Sequence, residues 1–111
     1  MLESERLKQI VISEDFESAL AVRFKEAEDL LVKKHRDYGP KNISHSPGGP
    51  LNGLRVRMHD KLARINHLYD SNVTPENESL RDSFIDMANY AIIGLMVLDE
   101  VWEKEFPALH P

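Results

Sequence analysis

The segment from Met87 to Leu98 (MANYAIIGLMVL) is apolar on nearly every side of a helix. Immediately before it, Glu78, Asp82 and Asp86 follow one another at intervals of four residues. Because a helix turns about 100° per residue, these three acids lie on one strip about 80° wide. An acidic edge on a buried helix needs a cation, a hydrogen-bond donor or a raised pKa, so we expect it to meet a second contact surface.

The same helix predicts which surface faces the core. The apolar residues that share this face at helical spacing are Phe84, Ala88, Ala91, Leu95 and Trp102. The acidic strip lies about 100° or more from the centre of this face. Further along the acidic side, Ile93, Met96 and Val97 form a second apolar patch. Such a patch must be covered by another part of the chain or by a second subunit, so we expect at least a homodimer with this helix near the interface.

Apolar residues at helical spacing predict three main helices, over residues 14–38, 53–69 and 77–105. The residues expected to face the core are Phe16, Leu20, Phe24, Ala27 and Leu31 in the first helix and Leu54, Met58, Leu62, Ile65 and Tyr69 in the second. Ser13 is the predicted N-cap of the first helix, Gly39 its predicted end, and Pro107 the predicted stop of the third. No segment combines β-branched residues with alternating polarity, so the predicted fold is all-α, a small bundle of three main helices.

Glycine and proline are concentrated in residues 39–53, which predicts a long loop between the first and second helices. Loops of this length inside a compact domain are usually functional or disordered. Residues 1–12 are polar and are expected to form an arm or a short extra helix. A chain of 111 residues is expected to fold as a single domain.

Composition excludes several classes of function. A net charge of −5 argues against general binding to the nucleic acid backbone. The chain has no cysteine, which excludes disulfides, thiolate metal sites and cysteine nucleophiles. The N-terminus lacks the apolar core of a signal peptide, and the apolar run is too short to span a bilayer. We therefore expect a cytoplasmic protein without a membrane partner.

A basic flank on the second helix is the counterpart of the acidic strip. Arg57, Lys61 and Arg64 recur at spacings of four and three residues, with Asp60 among them. If the two charged surfaces only pair with each other, they form structural ion pairs, which are common and weak on protein surfaces. If they form a site, carboxylates hold magnesium or manganese on a polyphosphate, and the basic side chains neutralise the remaining charge.

Distance along the helix limits the geometry of a metal site. Glu78 and Asp86 are about 12 Å apart along the axis, so one ion cannot easily contact both of them and Asp82. Asp82 with one neighbour, completed by Asp60 or by Glu28 of the first helix, is a sufficient ligand set when water fills the other positions. Two ions along the strip would use all three acids, and we predict Glu78, Asp82 and Asp86 as metal ligands. Asp60 and Asp86 are the predicted catalytic carboxylates, which would orient or deprotonate the attacking water.

The end of the first helix supplies candidate contacts to a substrate. Tyr38 has an aromatic face for a base and a hydroxyl for a sugar or phosphate, although it is equally ordinary as a core residue. The predicted substrate-binding residues are Asp37, Tyr38, Asn42, Arg57, Lys61, Arg64 and Asn89. The glycines and serines of the 39–53 loop do not match a P-loop, which disfavours ATPase chemistry of that class.

Three blocks occur in order along the chain, KHRDYGPKNI at 34–43, GLRVRMHDKLARI at 53–65 and ESLRDSFIDMANYAIIGL at 78–95. They carry the motifs DYG, RxxDKxxR and ESxxDxxxDxxNY. In these motifs the chain resembles a phage and bacterial domain family described as nucleotide-modification-associated, over most of its length beyond residue 25. The resemblance implies a nucleotide-directed protein, which in a phage would act in the host cytoplasm.

The DMANY stretch at 86–90 is similar to the MazG-like all-α nucleoside triphosphate pyrophosphohydrolases. That similarity implies helical subunits that dimerise, and carboxylates that hold magnesium for cleavage between the α and β phosphates. The hydrolase pattern is EExxE on one helix and ExxD on the next. This chain has Glu26-Ala27-Glu28-Asp29 on the first helix and Ser83-x-x-Asp86 as the counterpart of ExxD.

Two hypotheses about function follow from these resemblances and residues. The first is a magnesium-dependent pyrophosphohydrolase of deoxynucleoside triphosphates, linked to the nucleotide pool or to base modification. In it Arg57, Lys61 and Arg64 meet the phosphates, while Tyr38 and Asn42 contact the base or sugar. The alternative is a non-catalytic helical module that binds a nucleotide-modifying enzyme or a host protein, and in which the charged stripes are structural ion pairs.

Overall fold

The computed structural model describes residues 15–72 and 74–103. Its helices are α1 (Phe16–Tyr38), α2 (Lys41–Ser44), α3 (Pro50–Ser71) and α4 (Leu80–Leu98). No strand occurs within the described ranges. The prediction of an all-α chain with three long helices is therefore confirmed, while the arm predicted at 1–12 lies outside the described residues.

Helix α1 is bounded by a residue type that favours a helix start and one that favours a helix end. Asp15 is the N-cap, and its carboxylate accepts a hydrogen bond of 2.7 Å from the backbone N–H of Ser18. The hydrogen bonds from Ser18 hold the pKa of Asp15 below its ordinary value. Gly39 has a φ of 70°, a conformation that glycine adopts without strain, and donates its N–H to the carbonyl of His35. Gly39 is thus confirmed as the end of the helix, while the predicted cap Ser13 lies outside the described residues.

The segment between α1 and α3 is shorter than the predicted loop at 39–53. Helix α2 takes up part of it, and α3 already begins at Pro50, three residues before the predicted start. Proline suits the first position of a helix because its missing N–H would have no partner there. Gly53 in the first turn of α3 is buried, and a Cβ on it would lie 2.2 Å from the Oγ of Ser46. The absent side chain therefore lets the segment before α3 pack on that helix.

The core lies between α4, α3 and the end of α1. Helices α3 and α4 have the most extensive contact, and α1 packs on α4 over a shorter stretch. The buried apolar residues are Ile43, Leu54, Ile93 and Trp102, and those that pack against them are Leu31, Tyr90, Met96 and Val97. The patch that we expected beside the acidic strip therefore contributes to the core of the chain itself.

The face of α4 that was predicted to form the core is exposed, so that prediction is wrong for a single chain. Phe84 is 57% exposed and Leu95 56% exposed, and Ala88 and Ala91 also face outwards. The inward side carries Ser83, Asp86, Asn89 and Ile93. Polar residues can occupy that side because each has a partner there, which offsets the cost of burying it.

The predicted core stripes of the other two long helices are only partly buried. In α1, Phe16 is 78% exposed and Phe24 61% exposed, and Leu20 is exposed as well. In α3, Leu54 is buried, Met58 and Ile65 are half-buried, and Leu62 and Tyr69 are exposed. Helix α1 packs on α4 over a short stretch, and apolar side chains of its first half are exposed.

The third long helix is shorter than predicted at both ends. Ser79 is the N-cap of this helix and forms a capping box with Asp82. The helix ends at Leu98 rather than at 105. Glu100 adopts a φ of 60°, which turns the chain back. Trp102 then packs on the end of α1, with its Nε1 donating to the carbonyl of Pro40 at 3.0 Å.

Among the helices in the described ranges, none has both the length and the hydropathy needed to cross a membrane.

Candidate functional site

A cleft of about 280 Å³ opens between the end of α1, α2 and the inward faces of α3 and α4. Its volume is close to the lower end of the roughly 300–1,000 Å³ that small-molecule sites occupy. The charged and amide side chains that line it are Lys34, Asn42, Arg57, Lys61, Glu78, Asp86 and Asn89, and the rings are those of His35, Tyr38, Tyr90 and Trp102. The cleft thus combines aromatic surfaces with charged groups of both signs.

Lys61 joins the two carboxylates of the cleft. Its Nζ lies 2.6 Å from the Oε1 of Glu78 and 3.1 Å from the Oδ2 of Asp86. Burial lowers the pKa of Lys61, but the hydrogen bonds to Glu78 and Asp86 outweigh burial and hold that pKa above its ordinary value. Lys61 is therefore a cation in the cleft.

Asp86 is buried and has a lysine on each side. Its Oδ1 accepts a hydrogen bond of 2.9 Å from the Nζ of Lys34, and its Oδ2 faces Lys61. Burial raises the pKa of Asp86, but the hydrogen bonds and charges of the two lysines together lower it below its ordinary value. Asp86 is therefore a carboxylate whose charge is balanced within the cleft.

Glu78 has a second cation that lies outside the cleft lining. The Nε of Arg64 is 3.1 Å from its Oε2, and the Arg64 guanidinium also donates to the Glu78 backbone carbonyl. The hydroxyl of Ser83 donates to the same Oε2 at 2.8 Å. Both oxygens of the Glu78 carboxylate thus have partners within the chain.

Arg57 differs from the other cations of the cleft because its partners are neutral. Its guanidinium donates to the hydroxyl of Ser46 at 3.2 Å and to the backbone carbonyl of Asn42 at 3.0 Å. Within the described residues, no carboxylate lies within ion-pair distance of Arg57. The Nη1 of Arg57 would lie 2.9 Å from a Cβ on Gly53, so the absent side chain of Gly53 makes room for the guanidinium.

Seven of the predicted site residues line the cleft, namely Tyr38, Asn42, Arg57, Lys61, Glu78, Asp86 and Asn89. Asn89 has a structural role there, since its side chain donates to the carbonyl of Ala27 at 3.0 Å. Four other predicted residues are not part of the lining, namely Asp37, Asp60, Arg64 and Asp82. Arg64 contacts the cleft only through Glu78, and Asp37 and Asp60 are exposed.

Lys34, His35 and Trp102 line the cleft but were not among the predicted site residues. Lys34 is four residues before Tyr38, so helical spacing places both on one side of α1. The rings of His35 and Trp102 have centroids 4.9 Å apart. Trp102 carried no sequence signal for the cleft because it was predicted to lie within a helix.

The residues predicted to hold magnesium do not fit that ion as they are arranged. The Lys61 ammonium lies between the Glu78 and Asp86 carboxylates, where a dication would have to bind. The carboxylate of Asp82 is exposed and accepts the N–H of Ser79 at the start of α4. In the described part of the chain, no three His, Cys, Asp or Glu side chains are grouped closely enough to hold a metal ion.

Residues 34–98 match the model of a protein family whose description is nucleotide modification associated domain 1. Neither the curated proteins nor the solved structures contain a significant match to the chain. The matched range covers more than half of the chain and includes every residue predicted for the site. The chain therefore belongs to the nucleotide modification associated domain 1 family.

Proposed function

We propose that the cleft binds a nucleotide through its phosphate groups, and that this binding is how the chain takes part in nucleotide modification. The family supplies the class of molecule, and the cleft supplies a place of suitable size and charge. The observation that carries the proposal is Arg57, a guanidinium in the wall of the cleft that has no anionic partner among the described residues.

The charge of the cleft supports an anionic ligand. Three lysine or arginine side chains and two acidic side chains line it, so these five side chains carry one net positive charge in a chain whose net charge is −5. A local positive potential attracts phosphate even where the protein as a whole is acidic. The charge of the cleft therefore favours an anionic ligand.

Lys61 and Arg57 differ in how readily they can bind a phosphate group. Lys61 is held by two carboxylates, so a phosphate has to compete with them for its ammonium. Arg57 is held only by neutral acceptors, and its planar guanidinium can offer two parallel donors to phosphate oxygens. We assign the first phosphate contact to Arg57 and the second to Lys61.

Tyr38 and Asn42 suit the base and sugar of a nucleotide. Tyr38 is exposed beside the cleft, and Asn42 lines the same wall as Arg57. An exposed aromatic face stacks on any base, and the Asn42 amide supplies both a donor and acceptors for a base or sugar. We assign the base to Tyr38, with the phosphates directed inwards.

Magnesium-dependent cleavage between the α and β phosphates stays a prediction from the resemblance to the MazG-like hydrolases. Because the carboxylates are paired with cations, we derive no step through a metal ion. Asp60 and Asp86 as catalytic carboxylates also stay predictions. Pyrophosphate release from deoxynucleoside triphosphates, measured with magnesium or manganese, tests the hydrolase hypothesis separately from nucleotide binding.

Replacing Arg57 with glutamine is expected to weaken nucleotide binding about 10- to 100-fold. The substitution removes the guanidinium charge, and a charge-assisted hydrogen bond contributes about 1.5–3 kcal/mol. Isothermal titration calorimetry with a panel of deoxynucleoside mono-, di- and triphosphates measures the loss. Arg55→Gln is the matched control, because Arg55 is exposed on the same helix and lies outside the cleft lining.

Equal affinities of Arg57→Gln and Arg55→Gln would contradict the phosphate role of Arg57. Absence of binding across the whole panel, with the helical content of the wild-type chain intact, would contradict the proposed function itself.

The second candidate function is the non-catalytic helical module that binds a nucleotide-modifying enzyme or a host protein. The observation that favours it is the set of ion pairs that Glu78 and Asp86 form with Lys34, Lys61 and Arg64. In that case the charged stripes stabilise the fold and the cleft has no ligand. The nucleotide titration separates the two functions, because only the first predicts saturable binding.

A further inference from the structure

The outward face of α4 is an apolar stripe that no described part of the chain covers. It consists of Phe84, Ala88, Ala91 and Leu95, whose directions fall within about 60° of one another around the helix. Both large side chains are more than half exposed, at 57% for Phe84 and 56% for Leu95. Soluble monomers rarely leave contiguous apolar surface of more than a few hundred Å² in water, so a partner is expected on this stripe.

The α4 stripe has the same pattern of residue sizes and spacings in both directions along the helix. Its spacings are four, three and four residues, with an alanine pair in the middle and a large apolar residue at each end. A copy of the helix that runs in the opposite direction about a twofold axis brings Phe84 against Leu95 and Ala88 against Ala91. Small residues at the centre let two helix backbones approach closely, while the large residues at the ends fill the space beside them. The stripe is therefore complementary to itself.

Charges at the ends of α4 favour the same antiparallel arrangement. Arg81 in the first turn and Asp99 at the C-cap point in the same direction around the helix, next to the stripe. Reversing one helix places Asp99 of each copy near Arg81 of the other, where the opposite charges attract. Arg81 already pairs with Glu26 of α1, so the new contact would extend an existing ion pair. Opposed helix dipoles also favour the antiparallel direction.

The apolar surface continues from the stripe towards α1. Ile92 is exposed next to the stripe and lines a groove of about 800 Å³ between α1 and α4, together with Val32 and Met96. A second copy seated on α4 would therefore bury more than one helix face, as dimer interfaces of about 800 Å² per partner require.

We propose that a second copy of this chain packs antiparallel on the stripe of Phe84, Ala88, Ala91 and Leu95, and forms a twofold-symmetric dimer. The stripe lies about 180° around α4 from Ile93 and the inward residues of the cleft. Packing on the stripe therefore leaves the inward residues of α4 uncovered, and sedimentation tests the dimer separately from nucleotide binding.

Sedimentation of the full chain over a range of micromolar to millimolar concentrations tests the dimer. The wild-type chain is expected to have twice the 12.8 kDa mass of a single chain. Leu95→Lys and Phe84→Lys should each raise the dimer dissociation constant by about 100-fold or more, because twofold symmetry buries every introduced charge twice. Val56→Lys is the control, because Val56 is a similarly exposed apolar residue on α3.

Circular dichroism of each variant verifies that the helices are intact. A wild-type chain that is monomeric throughout the range would overturn the proposal. Loss of the dimer in Val56→Lys, with Leu95→Lys and Phe84→Lys unaffected, would place the partner on another face and overturn it as well.

Disulfide trapping tests the direction of the helices, and the chain has no native cysteine to interfere. Mixing chains that carry Ala88→Cys with chains that carry Ala91→Cys is expected to give more disulfide-linked dimer than either variant gives alone. A parallel pair would instead link each variant to its own copy more efficiently, and this result would overturn the antiparallel arrangement.

Discussion

Replacing Trp102 with alanine is expected to lower the free energy of unfolding by about 3–5 kcal/mol, the cost of truncating a large buried aromatic residue. Trp102 is 8% exposed and belongs to the small apolar core with Ile43, Leu54 and Ile93. Its Nε1 also donates to the carbonyl of Pro40. A loss of this size is a large fraction of the stability of a domain, which is commonly about 5–15 kcal/mol.

Urea denaturation followed by far-ultraviolet circular dichroism measures this effect without relying on the tryptophan. Every variant is compared at one protein concentration, because self-association would make the apparent stability depend on concentration. Trp102→Phe keeps one aromatic ring but removes the hydrogen bond and part of the buried volume, so its loss should be smaller, at about 1–3 kcal/mol. A loss below about 1 kcal/mol in Trp102→Ala would mean that the segment after α4 does not hold the core together.

Replacing Asp86 with asparagine is expected to lower the free energy of unfolding by about 1–3 kcal/mol at neutral pH. Breaking a fully buried ion pair costs about 3–5 kcal/mol, and we reduce this figure because the two lysines are partly exposed. The variant leaves Lys34 and Lys61 without their shared carboxylate. Asp60→Asn is the matched control, since Asp60 is exposed and lies outside the cleft lining.

The stabilising effect of Asp86 also depends on pH, in a direction set by its lowered pKa. Burial opposes ionisation, but Lys34 and Lys61 outweigh it, so the pKa of Asp86 in the folded chain lies below its value in the unfolded chain. The stabilisation is therefore complete above the unfolded pKa of about 3.9, and is lost as the pH falls through the folded pKa.

The difference in unfolding free energy between the wild-type chain and Asp86→Asn should shrink as the pH is lowered from 6 towards 2. Urea denaturation at a series of pH values measures this difference. A difference that stays constant over this range, or one that Asp60→Asn reproduces, would contradict the account of the Asp86 ion pairs.

Features that depend on residues close together in the sequence could be predicted. The end of α1 was predicted correctly because Gly39 adopts its φ of 70° without strain, whatever packs around it. The three long helices followed from apolar spacing along each segment. The early end of α4 could not be predicted, because Glu100 is not a residue type that favours a φ of 60°.

The orientation of α4 depended on partners that are distant in the sequence. Asp86 faces inwards because Lys34, which is 52 residues away, donates to it. Asn89 faces inwards because the carbonyl of Ala27, 62 residues away, accepts its side-chain N–H. Polarity alone places such residues on the outside, so the sequence favoured the opposite face. That face, with Phe84 and Leu95, is a core surface only if a second subunit covers it.

The site was predicted only in part, because its ion pairs also join residues that are distant in the sequence. The motifs place Arg57, Lys61, Glu78 and Asp86 in one region, and all four residues line one cleft. Their pairing could not be predicted, because an acidic and a basic stripe on two helices fit both an ion-pair network and a metal site with bound phosphate. The distances to Lys61 favour the ion-pair network in the free chain.

The central claim is that the cleft binds a nucleotide through its phosphates. Its most direct test is a calorimetric titration of the full chain with each deoxynucleoside and its mono-, di- and triphosphate, with and without magnesium. Saturable binding that strengthens with the number of phosphates and weakens as salt is added is the expected result. Equal affinity for a nucleoside and its phosphates, or no binding by any member of the series, would contradict the claim.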